Sequence, residues 1–243
     1  MANNGKRRLV GAIIVLIGAV LLIAAAFIPW YTQEIKATVA TYNITIDQNA
    51  YPGAPSSNGT IQYSCSGLPS EASCPSQTSY NSLRLNNTGN IAEAGFYMMI
   101  VGFILGLIGA AMGVMSRNNP RRTMPAIALA IVAMILAVAA VGLFAAALPG
   151  AISSDSPGHT GSGPWSSFWG SGNGTLYGFS GASWTWGPGI GWYLGLVAFV
   201  ILLVGLIVII MARKDTGPAP AATSPAPTSS PSGAPPTMPP PSS

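Results

Sequence analysis

The side chains of this chain that could do chemistry are few, and its cysteines are the first candidates. Cys65 and Cys74 are separated by eight residues, and the chain has no other cysteine. A redox-active pair usually has the C-x-x-C spacing or lies at a helix N-terminus, and neither feature is visible. In a segment that the charge pattern places outside the cell, this pair favours one structural disulfide, with a redox role as the alternative.

The only histidine belongs to a second candidate group. Ser153, Asp155 and His159 supply the residue types of a hydrolytic triad. They lie in a Gly/Pro-rich stretch that lacks a nucleophile elbow. The acidic residues of the first long loop lack the spacing of a calcium loop. We therefore predict a protein that is not an enzyme and that uses no metal ion or other cofactor.

The composition predicts a membrane protein. Charged residues make up 7% of the 243 residues, against about 25% in soluble domains. Four apolar stretches are long enough to form helices that cross a bilayer, and none contains Asp, Glu, Lys, Arg, His, Ser, Thr, Asn or Gln. Pumps and transporters place such groups near the bilayer midplane, so transport through the bundle is disfavoured. The predicted spans are residues 9–30, 95–115, 124–148 and 190–211.

Positive charge determines the predicted orientation. Eight of the ten Lys and Arg residues lie in segments 1–8, 116–123 and 212–243, which the positive-inside rule makes cytoplasmic. Segments 31–94 and 149–189 are then extracellular, in a multi-pass protein of the cell membrane. An uncleaved first span is favoured over a cleaved signal peptide. Because the basic residues border the membrane instead of forming one patch, no nucleic-acid partner is expected.

Both extracellular segments contain strand-like sequences. The β-branched and aromatic residues of 34–46 predict a strand or a bent pair of strands, whereas 48–60 predicts a loop. A hairpin is predicted around 180–182. Because two or three strands alone are marginally stable, we expect the two segments to share one small sheet. The further predicted strands are 61–65, 80–85, 175–179 and 183–186.

Glycines form a stripe along the second predicted span. At 100° per residue, five of them fall within a narrow arc of the helix. The spacing includes G-x-x-x-G pairs, which let helices approach closely. Packing inside the bundle is the favoured interpretation, and self-association of copies is the alternative. The predicted packing glycines are Gly95, Gly102, Gly106, Gly109 and Gly113 in this span and Gly191 and Gly195 in the fourth.

Tryptophans concentrate in the second extracellular segment. Such side chains form the core of a sheet, anchor a protein at the membrane interface, or contact a partner or glycan. Their spacing does not separate these roles. Trp192 and Tyr193, at the start of the fourth span, are predicted interface anchors. The candidate partner contacts are Trp165, Trp169, Trp184 and Trp186.

Four N-x-S/T sequons also lie in the segments predicted to be extracellular. Their acceptor asparagines are candidate glycosylation sites, and any attached glycans would limit which loop surfaces can meet a partner. The four asparagines are Asn43, Asn58, Asn86 and Asn173.

Several of these features together resemble the claudin superfamily of tetraspan proteins. They are Pro29-Trp30 at the end of the first span, the Cys65-x8-Cys74 pair and Tyr80-Asn81-Ser82-Leu83 before the second span. The resemblance implies four helices, a cysteine-stapled extracellular sheet and a role in cell–cell contact or membrane organisation. The family usually has Gly-Leu-Trp-x-x-Cys, whereas here the aromatic is Tyr63. The Pro-rich tail, 212–243, is predicted to be disordered and lacks the hydrophobic C-terminal PDZ ligand of claudins.

The sequence therefore predicts an all-α membrane bundle of four transmembrane helices with a small extracellular β-sheet domain formed by the two exterior loops. The leading functional hypothesis is a non-enzymatic membrane scaffold or cell-surface contact protein. One alternative is an accessory subunit of a larger membrane enzyme or transport complex, and another is a glycan-binding surface module. The expected partners are the lipid bilayer, a second copy or another membrane protein, and a glycan.

Overall fold

The computed structural model describes residues 2–39, 42–52, 60–69, 72–117, 119–155, 161–176 and 179–214. Four helices and six strands make up most of these residues. The helices are α1 (Ala2–Ala26), α2 (Asn86–Met115), α3 (Thr123–Asp155) and α4 (Ile190–Lys214), with a 3-10 turn at Pro120–Arg122. The strands are β1 (Tyr31–Val39), β2 (Tyr42–Tyr51), β3 (Thr60–Ser66), β4 (Gln77–Ser79), β5 (Gly170–Leu176) and β6 (Phe179–Pro188).

All four helices are long and apolar enough to cross a membrane. They form a ring in which α1 packs against α2 and α4, and α3 closes the ring between them. Consecutive helices run in opposite directions, so both ends of the described chain lie at the same end of the bundle. Alanines dominate the buried face of α3, including Ala130, Ala133 and Ala137, which are almost fully buried. Small side chains on this face allow the neighbouring helices to approach closely.

The helix ends differ from those predicted by hydropathy. Helix α1 ends at Ala26, α2 begins at Asn86 instead of residue 95, and α3 continues to Asp155 instead of 148. Pro149 lies inside α3 without ending it. Hydropathy marks the apolar layer, whereas a helix continues as long as its backbone hydrogen bonds are satisfied. The polar turns at residues 86–94 and 149–155 therefore extend α2 and α3 beyond their apolar stretches.

The six strands form one antiparallel sheet in the order β4-β3-β2-β1-β6-β5. Strand β1 pairs with β2 on one side and with β6 on the other. The first four strands come from the segment between α1 and α2, and the last two come from the segment between α3 and α4. The expectation that the two long segments share one sheet is confirmed.

Residues 34–46 divide between β1 and β2, as expected for a bent pair of strands, but several other predicted strand boundaries were wrong. Gln48–Tyr51, predicted as loop, belongs to β2, where it pairs with β1 and β3. Residues 180–182, predicted as the turn of a hairpin, belong to β6, whose first residue Phe179 pairs with Leu176 at the end of β5. Tyr80–Leu85 is a series of turns and not a strand, because its amides bond locally, as in the hydrogen bond from Leu85 N to Tyr80 O.

Trp30 lies where the sheet meets the bundle. Its N–H donates to Ala50 O of β2, and its carbonyl accepts from the N–H of Gly189 just before α4. Its indole is fully buried, donates from Nε1 to Ala25 O at 2.7 Å, and packs edge to face on Phe144 of α3. One residue therefore connects α1, α3, the start of α4 and the sheet.

The predicted packing glycines lie at contacts between helices of one chain. A β-carbon added at Gly95 would meet the Trp30 ring, and one added at Gly191 would meet both this ring and Ile28 O. At Gly106 it would lie 2.9 Å from the Cβ of Ala19 in α1. The others show the same pattern: Gly102 faces Leu22 and Ala133, Gly109 faces Leu129, Gly113 faces Ala12, and Gly195 faces Met99 and Val141.

The close approach at Gly106 leads to a test. We expect Gly106→Ala to lower the free energy of unfolding by about 1–3 kcal/mol, because two methyl groups on facing helix backbones would overlap. The measurement is unfolding of the detergent-solubilised full chain followed by circular dichroism. Gly142→Ala is the matched control, since a β-carbon there meets nothing within 4 Å. An equal loss in both variants would contradict the close-packing explanation.

Candidate functional site

Strand alternation gives the sheet two chemically different faces. We call the face toward the helices the inner face, and it is mainly apolar. The opposite side, the outer face, carries polar side chains. The inner face presents Tyr31, Gln33, Ile35, Ile46, Gln48, Ala50, Ile61, Tyr63, Trp184 and Trp186, as the strand register and burial indicate. The outer face presents Thr32, Glu34, Lys36, Asn43, Thr45, Asp47, Asn49, Tyr51, Gln62, Ser64, Ser171, Asn173, Ser183 and Thr185.

Two of the tryptophans proposed as partner contacts are part of the inner face. Trp184 and Trp186 are each 5% exposed. Their rings lie over glycines of the edge strand β5, so that a β-carbon at Gly170 or Gly172 would come within 2.7 Å of a ring atom. Trp186 Nε1 also donates to Ser167 O at 3.0 Å. Burial corrects the expectation for this pair, since neither ring has a free surface for a partner.

Phe168 holds the second segment on the bundle, and its role was not predicted. Its ring is 8% exposed and lies 5.8 Å from Tyr31, 6.1 Å from Phe144 and 5.5 Å from Trp192, centroid to centroid. These are normal distances for aromatic pairs, which add stability beyond the buried area. In the sequence, Phe168 is one of many aromatic residues in this segment. Its distinguishing contacts are with residues far away in the chain, so they become visible only in the folded structure.

The outer face forms an open groove of about 670 Å³. Its lining includes Thr32, Glu34, Asp47, Asn49 and Thr185, with Trp169 and Tyr193 also contributing. Glu34 forms an ion pair with Lys36 at 2.9 Å, and both side chains remain substantially exposed, so this pair adds little stability. The groove therefore combines hydrogen-bonding groups with two exposed aromatic rings.

Trp169 differs from the other candidate tryptophans because it is 64% exposed. One side of its ring is held by Phe168, at 5.9 Å between centroids. Trp165 is half-buried, and its Nε1 donates to Gly161 O at 3.1 Å. Of the four candidate partner contacts, Trp169 is the one whose ring is free to meet another molecule.

The candidate glycosylation sites occupy different surroundings. Asn43 and Asn173 lie exposed on the outer face, and Asn43 Oδ1 accepts a hydrogen bond from the Thr38 hydroxyl across the β1–β2 hairpin. Asn86 is the exposed first residue of α2. Asn58 lies outside the described residues. Whether any of the four is modified stays a prediction, and a glycan at the first two would cover part of the groove-bearing face.

The Cys65–Cys74 disulfide is confirmed, with the two Cα atoms 6.0 Å apart. Cys65 lies near the end of β3, and Cys74 lies in the segment that leads back to β4. Beside this link, Tyr63 N donates to Ser76 O. The bond therefore connects β3 to the short edge strand of the sheet, where a three-residue β4 provides few ladder hydrogen bonds of its own.

The residues of the hydrolytic triad hypothesis do not form such a group among the described residues. Asp155 accepts hydrogen bonds from the backbone N–H groups of Asn87 and Thr88, at 3.0 and 2.7 Å, and from the Asn87 side chain. It therefore caps α2 from the end of α3. Ser153 is exposed, and His159 lies outside the described residues. In the part of the chain that the structure describes, no group of three or more His, Cys, Asp or Glu could hold a metal ion.

Comparison with known proteins does not assign the chain to a family. No protein-family model matches the chain, and no curated protein sequence matches it significantly. The features that bear on function are thus the groove of the outer face, the apolar inner face and the four long apolar helices.

The Asp155 cap predicts a pH dependence of stability. Burial acts to raise the pKa of this carboxyl, but hydrogen bonds from Thr88 and Asn87 outweigh it and hold the pKa below its ordinary value of 3.8. A depressed pKa in the folded state contributes stability that is present above the unfolded pKa and is lost as the pH falls through the folded one. We expect the wild type to lose more unfolding free energy than Asp155→Asn between pH 5 and about 2.5, measured by denaturant unfolding.

The control for this prediction is Asp47→Asn, which removes an exposed carboxyl of the outer face. That variant should follow the wild-type pH profile. Superimposable profiles for wild type and Asp155→Asn would show that the charge of Asp155 contributes nothing to the α2 cap.

Proposed function

We propose that this protein is a non-enzymatic scaffold or contact protein of the cell membrane, with both termini cytoplasmic and the sheet outside the cell. The observation that carries the proposal is the polar outer face, presented on a sheet that is fixed to four apolar helices. The contact surface is the groove lined by Glu34, Asp47, Asn49 and Trp169. The lipid bilayer and a second copy of the chain are its partners.

The exposed apolar side chains of the helices support placement in a membrane. They extend over 18 to 22 positions, from Val10 to Phe27 in and directly after α1 and from Tyr97 to Met115 in α2. The corresponding limits are Met124 and Leu143 in α3 and Ile190 and Met211 in α4. At 1.5 Å per residue the four stretches span about 26–32 Å, close to the roughly 30 Å of a hydrocarbon core. In a soluble protein this surface would be an aggregation hazard.

The residues at the two limits of this apolar belt support the orientation. Phe27, Tyr97, Tyr193 and Trp169 are exposed at the sheet end, as aromatic side chains are at membrane interfaces. The basic residues that favour the cytoplasmic side lie at the other end, and Arg8 Nη1 donates to Ser116 O there at 3.3 Å. The apolar belt is therefore bordered by aromatic side chains at the sheet end and by basic side chains at the other end.

The glycines of α2 pack against other parts of the same chain, and this favours the sheet as the surface through which copies make contact. Gly95, Gly102, Gly106, Gly109 and Gly113 are all buried against neighbouring helices or Trp30. Helix dimerisation through a G-x-x-x-G stripe requires that stripe to be free. Contacts between copies would thus use the outer face, whose polar side chains can exchange water for hydrogen bonds with a partner.

The claudin-like assignment remains part of this proposal. The positions that carry the resemblance have structural roles here that suit a tetraspan with a stapled sheet. Trp30 joins the bundle to the sheet, and Cys65–Cys74 links β3 to the β4 side. Tyr80 is 2% exposed beneath the sheet. We therefore propose a contact role of claudin type, without the paracellular features that the missing Gly-Leu-Trp motif would provide.

Glycan binding is the second candidate, and the exposure of Trp169 favours it. Sugars bind where an aromatic ring covers the apolar face of the pyranose and where carboxylates and amides bond its hydroxyls. Asp47, Asn49 and Glu34 supply such groups in the same groove. Attachment to a glycan on a neighbouring cell would also be a form of contact.

Lysine chemistry tests the contact proposal, because the chain has three lysines and one of them, Lys36, lies on the outer face. A membrane-impermeant amine crosslinker applied to intact cells should react at Lys36 and leave Lys6 and Lys214 unmodified. We expect Lys36–Lys36 adducts between copies, identified by mass spectrometry. Reaction at Lys6 and Lys214 instead would reverse the proposed orientation.

Two variants make this experiment specific to the outer face. Asn49→Arg places a long charged side chain in the middle of the face and should reduce the adducts at least tenfold. Leu107→Phe changes the lipid-facing surface of α2 and should leave them unchanged. Adducts from Lys36 to one stoichiometric foreign protein, with none between copies, would contradict the proposal and identify an accessory subunit.

Trp169→Ala tests the glycan candidate. Loss of the stacking ring should weaken binding of the full chain to immobilised cell-surface glycans about tenfold, because aromatic stacking contributes on the order of 1 kcal/mol or more. The matched control is Tyr42→Ala, which removes an exposed aromatic side chain at the start of β2 that is not among the groove residues. Equal binding by the wild type and both variants would exclude Trp169 as a sugar platform.

A further inference from the structure

A second space lies on the inner side of the sheet, between the strands and the ends of α2 and α3. This cavity has a volume of about 130 Å³. Its apolar walls include Ala50 and Ile61 of the sheet, Leu85 before α2, and Phe144 and Leu148 of α3. Cavities of this order hold small apolar molecules or several waters. Whether an apolar molecule or water occupies the cavity depends on the polarity of its walls and on access to it.

A larger apolar groove adjoins the cavity under the sheet. This groove has a volume of about 440 Å³ and shares Gln48, Ile61 and Leu85 with the cavity. It adds Ile35 and Ile46, and the exposed Leu83 also lines it. We call these two adjacent spaces together the channel, and their apolar walls suit a hydrocarbon chain.

The cavity walls carry no charged side chain and include two buried hydroxyls without a hydrogen-bond partner among the described residues, those of Thr88 and Tyr31. Tyr31 lines the cavity and is 5% exposed, and its hydroxyl has no hydrogen-bond partner among the described residues. An unpaired buried hydroxyl is costly, so such groups in native proteins usually have a partner. Burial raises the pKa of Tyr31 above its ordinary value of 10.0, which keeps the hydroxyl a neutral donor. None of the described residues that line the cavity or the groove is Asp, Glu, Lys, Arg or His.

On α3 the channel lies just beyond the apolar belt, on the side of the sheet. Phe144 and Leu148 lie in the last turns of the apolar part of α3, and Leu143 beside them is the last large apolar residue of that helix exposed on the belt. Phe144 and Leu148, on the α3 side of the cavity, therefore lie within two helical turns of the belt's limit. A charged headgroup would lose its hydration there without gaining a counter-ion.

We propose that this channel binds one uncharged single-chain amphiphile taken from the membrane, a long-chain alcohol or prenol. Its oxygen accepts a hydrogen bond from the Tyr31 hydroxyl, and its hydrocarbon chain lies along the groove between Ile35, Ile46 and Leu85. The ligand would fill the space between the sheet and the helices and so hold the two together. This site is on the inner face, so it does not depend on the contact role of the outer face.

Equilibrium binding of radiolabelled farnesol tests the proposal. The full chain is placed in phosphatidylcholine nanodiscs, and empty nanodiscs give the partition background. We expect saturable binding of one farnesol per chain. Tyr31→Phe, which removes only the hydroxyl, should weaken it about fivefold to tenfold. Tyr42→Phe is the matched control and should bind as the wild type does.

Three further measurements make the outcome decisive. The parent hydrocarbon of farnesol should bind wild type and Tyr31→Phe equally, because it cannot use the hydroxyl. Palmitate, which carries a charge at pH 8, should bind at least tenfold more weakly than farnesol. Ala50→Leu should reduce farnesol binding by filling the cavity, whereas Thr45→Leu on the outer face should not. Thermal unfolding of each variant identifies any that fail to fold.

Several results would overturn the proposal. Binding that does not saturate above the nanodisc background would mean that the channel holds water only. Equal farnesol affinity in wild type and Tyr31→Phe would remove the role of the hydroxyl. Palmitate binding as tight as farnesol would contradict a neutral ligand. None of these results changes the expected Lys36 adducts, so failure here and failure of the contact proposal can be told apart.

Discussion

The burial of one indole, that of Trp30, is the contact on which the arrangement of helices and sheet depends. Its ring fits among the helices because residues 95 and 191 have no side chain, so that α2 and α4 can approach it. Its backbone meanwhile bonds to Ala50 and Gly189, which directs the chain from α1 into the middle of the sheet. A larger residue at either glycine would separate the helices and move β1 with them.

The position of β1 gives the sheet its two functions in our proposals. As the strand between β2 and β6, it joins the two long segments, and its alternation places Ile35 toward the helices and Glu34 away from them. The inner face gains buried tryptophans and an apolar channel, and the outer face gains a polar groove with Trp169 exposed. In our proposals, the two faces of one sheet therefore form two separate binding surfaces.

Much of the architecture could be predicted from the sequence, and the errors have a common cause. Hydropathy located the four apolar helices, and the isolated pair of cysteines indicated the disulfide, because both signals are local. The ends of α2 and α3 were missed because Asp155 caps α2 from the end of α3, a contact between residues 67 positions apart. Residues 80–85 have strand-like composition, yet local hydrogen bonds turn the chain there.

By itself, the sequence determined the apolar character and number of the helices, the cysteine pair and the polar pattern of the strands. It also supplied the glycines of α2, whose stripe on one helix face follows from helical geometry alone. Only the tertiary structure decided which helices these glycines meet, which tryptophans are buried, and which one remains exposed. The physical reason is that burial depends on neighbours distant in the chain: Trp184 and Trp169 are the same residue type in one segment, and only the first faces the helices.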